Sequence, residues 1–466
     1  MQTDLTGDNF DVIIVGAGVV GCAVARRFAL GGAKVCVLEK ALDILDGASK
    51  ANSAILHTGF DAPKNSIELS CIKAGYQEYL KIHKDLGLPF EKTSAHVVAW
   101  SEDEAAKLEN ILAQAHANGI KNTEIISSKQ LAKNEPNLAQ HAKAAILIPN
   151  EAIIDPWSAP YSYLRQALEN NAQIFLSCDV KSGEFDGKQW FLKTSRGILK
   201  TKFVINCAGL YGDKLDEVLL GKTKFNIKPR KGQFVVFDKA ASKLVNSIIL
   251  PVPTEKTKGV VVCKTIFGNL LVGPTAQDQD SRDDASTDEK SLKSLIAAGV
   301  EKLPMLKNMP ISATYAGLRP ATQFKEYQID ARARKNWISV GGIRSTGLSA
   351  ALGIAKYVFE EYSNLGLKHQ KIKNPKLPEK APILAQNEKR DYQQNKHGKI
   401  ICHCEMVSER EIKKALEGSL KANSLAGLKR QTRVTMGRCQ GFYCTAKLAD
   451  LTQDHFENPL AEKLSK

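Results

Sequence analysis

No stretch of the 466-residue chain is apolar for the roughly 18–20 residues that a membrane-spanning helix requires. The opening MQTDLTGDNF has neither a basic start nor an apolar core, so it is not expected to act as a secretory signal. The ten cysteines lack the even spread of a disulfide framework, and a reduced, cytoplasmic setting is expected. Zinc-finger, RNA-recognition and helix-turn-helix patterns are missing, so nucleic acid is not an expected partner. There is no HExxH and no Ser-His-Asp arrangement, which leaves a hydrolase without support. What is there in quantity is length and positive charge. At roughly 100–200 residues per domain, two to three domains are expected. The net charge of +15 fits a solvated Lys-rich surface, and equally an anionic substrate, an anionic cofactor or a membrane surface.

The clearest motif lies in DVIIVGAGVVGCAVARRFALGGAKVCVLEK, residues 11–40. Val12 to Val15 suit a buried parallel strand, Cys22 to Leu30 a helix, and AKVCVLEK a second strand ending at Glu39. Gly16, Gly18 and Gly21 stand in G-x-G-x-x-G spacing between strand and helix. They serve a tight turn, close approach to a pyrophosphate, and close helix packing. The helix N-terminus then offers unpaired N–H groups to the phosphates, and Glu39 is placed to accept from a ribose diol. An acidic residue there disfavours a 2′-phosphate, which leaves FAD or NAD.

Four segments decide between them. GASKANSAILHTGFD (47–61), NEAIIDPW (150–157), VINCAGLYGDKL (204–215) and GGIRSTGLSAALGIA (341–355) occur in this order. In these the chain resembles the FAD-dependent oxidoreductases that include D-amino-acid oxidase, glycine oxidase and glycerol-3-phosphate dehydrogenase, over residues 11 to about 360. The resemblance implies FAD. It places Lys40 after the ribose acid, Ser49, Asn52 and Ser53 along the pyrophosphate and flavin, Val180 against adenine, and Ala208 and Gly209 beside the adenosine. It also places Gly342, Ile343, Gly347 and Leu348 at the flavin pyrimidine, where backbone N–H groups stabilise negative charge on the reduced ring. The implied fold is α/β. A Rossmann-type nucleotide domain comes from about 9–75, 170–215 and 336–365. An antiparallel-sheet substrate domain comes from about 76–169 and 216–335, within an oxidoreductase unit of residues 1–370.

Oxidation of an alcohol or amine by a flavin needs a base for the departing proton. His57, in AILHTGFD, is a candidate because related enzymes carry a histidine there; a buried, hydrogen-bonded histidine is the alternative. His96 reads as structural. An anionic substrate needs a fixed cation, and arginine supplies one through a two-pronged donor geometry. Arg319 is the first candidate and aligns in order with the substrate-anion arginine of the glycerol-3-phosphate enzymes. Arg344 is the second.

Residues 371–398 are rich in Lys, Pro and Gln and read as a linker or a draped segment. Beyond them, at 399–466, CHC supplies Cys402 and Cys404, and CQGFYC supplies Cys439 and Cys444. VSEREIKKALE reads as a helix capped by Ser408 and Glu411. Four thiolates suit zinc or an iron–sulfur cluster. Spacings of one and four residues match neither the usual zinc pairs nor ordinary ferredoxins. They are similar to the bacterioferritin-associated ferredoxin-like domain, which implies a [2Fe–2S] cluster in a small helical domain. The other six cysteines read as small buried fillers.

A flavin accepts two electrons and such a cluster carries one, so the pairing points to a dehydrogenase rather than an oxidase. With no second glycine-rich nucleotide motif, a quinone or a partner redox protein is the expected acceptor. Hetero-oligomer formation and peripheral contact with the inner face of a membrane are compatible with this. The domain order resembles the large subunits of anaerobic-type glycerol-3-phosphate dehydrogenases, which implies oxidation of sn-glycerol 3-phosphate. ANSAILHTGFD also resembles the L-2-hydroxyglutarate dehydrogenases. Amino-acid or opine dehydrogenases, and a non-catalytic electron-transfer subunit, remain alternatives.

Overall fold

A computed structural model describes residues 5–253 and 259–462. Strand β1 (Asn9–Val15) runs into helix α1 (Val19–Leu30) and returns as β2 (Val35–Leu38). All four residues of β2 are buried, as expected for a parallel strand covered on both faces. β1 lies parallel to β2 on one side and to Gly197–Asn206 on the other. The end of Gly197–Asn206 also pairs in parallel with Trp337–Gly341, completing the nucleotide-type core of an eight-stranded sheet. Strands Val180–Phe185, Trp190–Thr194 and Gly197–Asn206 form the antiparallel meander at its edge. The helix Gly347–Asn364 packs between α1 and α2 (Ile67–Leu86). Close approach is possible because a Cβ on Gly75 would lie 2.2 Å from the Ser349 carbonyl oxygen, so no larger residue fits.

The second sheet has nine strands. Its strands Arg230–Phe237 and Ile311–Arg319 pair antiparallel, with Arg230 opposite Arg319. It is not antiparallel throughout. Ile248–Pro251 runs parallel to Ala95–Ala99, since these strands come from distant parts of the chain and no hairpin fixes their direction.

Residues 371–398 contain only one short helical turn, Asp391–Gln393. They are nevertheless packed down. Asn170 exchanges two hydrogen bonds with the Lys376 backbone, the Gln386 N–H donates to the Ile266 carbonyl, and Ala381, Leu384 and Ala385 are buried. The C-terminal unit has its own core around Val407, Ile412, Leu428 and Leu448. A two-stranded hairpin, Ile400–Cys402 with Val407–Ser408, precedes three short helices. The first, Glu409–Ala415, begins with a reciprocal Ser408–Glu411 capping box. No helix among the described residues is long and apolar enough to cross a membrane.

Candidate active site and cysteine centre

A cavity of about 670 Å³ opens between the two sheets. The turn after β1 forms its floor. Gly16 adopts φ +105°, and a Cβ there would meet the Cys207 carbonyl oxygen at 2.5 Å, so only glycine brings the two strand ends this close. A Cβ on Gly21 would lie 1.9 Å from the Gly16 oxygen; Gly21 therefore sits behind the cavity wall and sets how closely α1 packs. Gly16 and Gly18 line the cavity with Glu39, Lys40, Ser49, Asn52 and Ser53. Val180, Ala208 and Gly209, expected beside the adenosine, line it too, as do Gly342, Ile343, Gly347 and Leu348.

Two helices begin at this cavity, α1 and Gly347–Asn364. Neither is capped by its own N-cap side chain, and neither carries an acid in its first turn. Each presents a positive dipole end to whatever fills the space. Glu39 is half-buried and accepts from the Ala17 and Ala41 N–H groups at 2.8 and 2.9 Å. Burial raises its pKa against the pull of those two donors. The Ser49 hydroxyl accepts from the Val19 N–H at 3.0 Å, tying residues 48–53 to the start of α1. Lys40 places its ammonium 3.5 Å from the centre of the Tyr211 ring. This is a cradle for a long anionic dinucleotide with a flat ring system at one end, and the donor set fits FAD.

Arg319 and Arg344 both border the cavity, and His57 lies outside its lining. The Arg319 guanidinium donates to the Thr275 carbonyl at 2.5 Å and passes over Gly232, where no side chain obstructs it. Its carboxylate neighbour, Asp278, is already held in two bonds by Arg230. Desolvation, with Arg230 alongside, pulls the Arg319 pKa down to about 10, so it stays charged at neutral pH. Arg344 turns toward the Lys325 carbonyl instead.

His57 follows the short strand Ile55–Leu56, which pairs antiparallel with Ala152–Ile154. That pairing brings His57 beside Glu151, which lies in NEAIIDPW but to which the sequence assigns no role. Nδ1 of His57 lies 2.8 Å from Oε2 of Glu151, whose side chain is 0% exposed. The other carboxylate oxygen accepts from the Thr58 N–H and hydroxyl at 2.7 and 2.8 Å. The backbone N–H of His57 donates to the hydroxyl of Ser349, in the first turn of Gly347–Asn364. The backbone at His57 is thus fixed to the helix that borders the cavity, and its ring to Glu151. His96 is buried elsewhere, against the Ser247 hydroxyl.

In the C-terminal unit Cys402 and Cys444 are buried, and Cys404 and Cys439 partly exposed. A Cβ on Gly437 would strike the Cys404 Cβ at 2.3 Å, so a glycine before the second pair lets the two loops close. Cys404 neighbours Cys439, and Cys402 neighbours Cys444. The backbone N–H groups of Tyr443, Gly441 and Phe442 surround the Cys439 sulfur and lower its pKa, favouring thiolate. Among the described residues no three such side chains converge on one metal ion. Four thiols standing as two neighbouring pairs instead suit a cluster with two irons. The remaining six cysteines are all buried.

A family model described as FAD dependent oxidoreductase matches residues 11–361, and one described as BFD-like [2Fe-2S] binding domain matches 400–453. A glycerol 3-phosphate dehydrogenase from Caloramator mitchellensis is 34% identical over 456 residues, covering 95% of this chain and 93% of the relative. One subunit of the anaerobic glycerol-3-phosphate dehydrogenase of Haemophilus influenzae is 25% identical, covering 96% and 85%. Among solved structures, the dithionite-reduced L-α-glycerophosphate oxidase of Mycoplasma pneumoniae with FAD bound superposes with a TM-score of 0.73. It is 28% identical and covers 79% of this chain and 97% of its own.

Proposed function

The chain belongs to the FAD-dependent oxidoreductase family, and from that premise we propose that it oxidises sn-glycerol 3-phosphate to dihydroxyacetone phosphate. FAD is the cofactor of the first unit and a [2Fe–2S] cluster that of the second. When bound, FAD takes the hydride equivalent from the substrate carbon, and the cluster carries electrons singly.

The observation that carries the substrate reading is Arg319. It is a desolvated guanidinium on the cavity wall whose nearby carboxylate is already occupied by another arginine. A phosphate presents the paired oxygens that such a group binds best. The relatives named for glycerol 3-phosphate support the same choice. His57 serves as base for the substrate hydroxyl. With its Nδ1–H donated to the buried Glu151 carboxylate, the acceptor lone pair lies on Nε2. Glu151 holds that tautomer, and Thr58 and Ser349 hold the carboxylate and the backbone in place.

A cluster held by Cys402, Cys404, Cys439 and Cys444 would pass electrons on to a quinone or a partner redox protein. Phe442 and Tyr443 lie between two of the cysteines and are 82% and 73% exposed, which supports an exit on this face. The H. influenzae relative, named as one subunit of a larger enzyme, supports a hetero-oligomer. Flavin bleaching by glycerol 3-phosphate, L-2-hydroxyglutarate and glycerol, compared anaerobically, tests the reading. Only the first should bleach fast, and equal bleaching by plain glycerol would remove the anion site from the proposal.

A further inference from the structure

The two units do not merely share a chain; they are docked at several points. The Gln440 amide donates to the Ser312 carbonyl at 2.8 Å, and Ser424 donates to Asp43 at 2.6 Å. At the centre of this contact is Arg433, the residue that ends helix Leu425–Thr432. It adopts φ +66°, uncommon for a side-chain-bearing residue, and is only 5% exposed. Its Nε donates to Oε2 of Glu405 at 3.0 Å, and Glu405 directly follows Cys404.

The Cζ of the same guanidinium lies over the Phe267 ring, 4.0 Å from its centre. Phe267 in turn stacks on Trp157, with centroids 5.6 Å apart and planes at 15°. The Trp157 indole N–H donates to the Lys50 carbonyl at 3.2 Å. Lys50 and Pro156, the chain neighbour of Trp157, both line the flavin cavity. Trp157 is further set by Asp155, whose Oδ1 accepts its backbone N–H at 2.9 Å. Arg433 is also among the charges that act on this fully buried aspartate.

We propose that Trp157, Phe267 and Arg433 form the bridge by which electrons pass from the flavin cavity to the Cys404 side of the cluster. This rests on the functional reading above. Each pass moves one electron: the reduced flavin loses one, one ferric iron becomes ferrous, and no proton travels. Tunnelling falls steeply with distance through empty space and less steeply through packed atoms, and these three side chains replace space with stacked π-systems. Arg433, paired with Glu405 next to Cys404, would hold a positive charge near the place where a bound cluster would gain a negative one.

The test uses the holoenzyme. A light flash with EDTA as donor reduces the flavin without any substrate, and the cluster bands are then followed. Phe267→Leu should slow cluster reduction by about tenfold, while glycerol 3-phosphate still bleaches the flavin as in the parent. Arg433→Gln should slow it too. It should also lower the midpoint potential of the dithionite-reduced cluster, which Phe267→Leu should leave unchanged. Limited proteolysis of residues 371–398 reports docking. Unchanged cluster reduction in both variants would overturn the bridge. So would a slowing that appears only together with new cleavage in 371–398, because undocking would then be its cause. If glycerol 3-phosphate fails to bleach the parent flavin, the substrate reading fails, and the flash experiment still decides on the bridge.

Discussion

Nδ1 of His57 and Oε2 of Glu151 are 2.8 Å apart, joining a half-buried imidazole to a carboxylate with no solvent exposure. The carboxylate cannot drift, because Thr58 occupies its other oxygen twice. If His57 is the base, His57→Asn should lower the rate of flavin reduction by about 10²–10⁴-fold. Glu151→Gln, which no longer enforces the Nδ1–H tautomer, should lower the same rate and leave KM nearly unchanged. A Glu151→Gln variant that loses affinity but not rate would place His57 in substrate binding.

Arg319 predicts an effect of the opposite kind. Arg319→Ala should weaken glycerol 3-phosphate by about 2 kcal/mol or more, roughly thirtyfold. Arg319→Lys should recover part of this, since lysine restores the charge but not the two-pronged geometry. Substrate titration of flavin absorbance reads both. Full affinity in Arg319→Ala would move the anion site elsewhere, Arg344 being the next arginine on the cavity wall.

The four cysteines are expected to act as one ligand set. Cys404→Ser or Cys439→Ser should remove the cluster's visible bands and its EPR signal. FAD, held in a separate unit, should still copurify at one per chain. Zinc instead of iron in the parent protein, measured by elemental analysis, would contradict the ligand assignment.

His96 gives a pH prediction for stability. Burial lowers its pKa from 6.5 to about 4. Between those values the unfolded chain binds a proton that the native protein does not, so stability falls as pH is lowered from 7 toward 4. The full shift corresponds to about 3 kcal/mol. Urea unfolding at pH 7 and pH 4.5 should show the loss, and His96→Gln should show a shallower one. An identical slope in the variant would mean that other groups carry it.

The local parts of this protein are legible in the sequence because their physics is local. Gly16, Gly18 and Gly21 lie within six residues at one strand-to-helix junction, and Ser408 with Glu411 within one helical start, so spacing alone predicts their geometry. The cysteine pairs are legible for the same reason. Glu151 is not. It lies within NEAIIDPW, but its role depends on strand pairing with residues 55–56, which no periodicity encodes. Arg433 is hidden in the same way. In sequence it is one of several basic residues before Cys439; only the docking of the two units places it against Phe267. The parallel pairing of Ile248–Pro251 with Ala95–Ala99 is another long-range choice that strand composition leaves open.

The most direct measurement is an anaerobic stopped-flow record of flavin and cluster absorbance after mixing the holoenzyme with glycerol 3-phosphate. The flavin should bleach first, and the cluster bands should fall afterwards in the same molecules, with no added acceptor. A flavin that dithionite reduces but glycerol 3-phosphate leaves oxidised would contradict the proposed substrate. A bleached flavin beside a cluster that stays oxidised, although dithionite reduces it, would contradict electron passage between the two units.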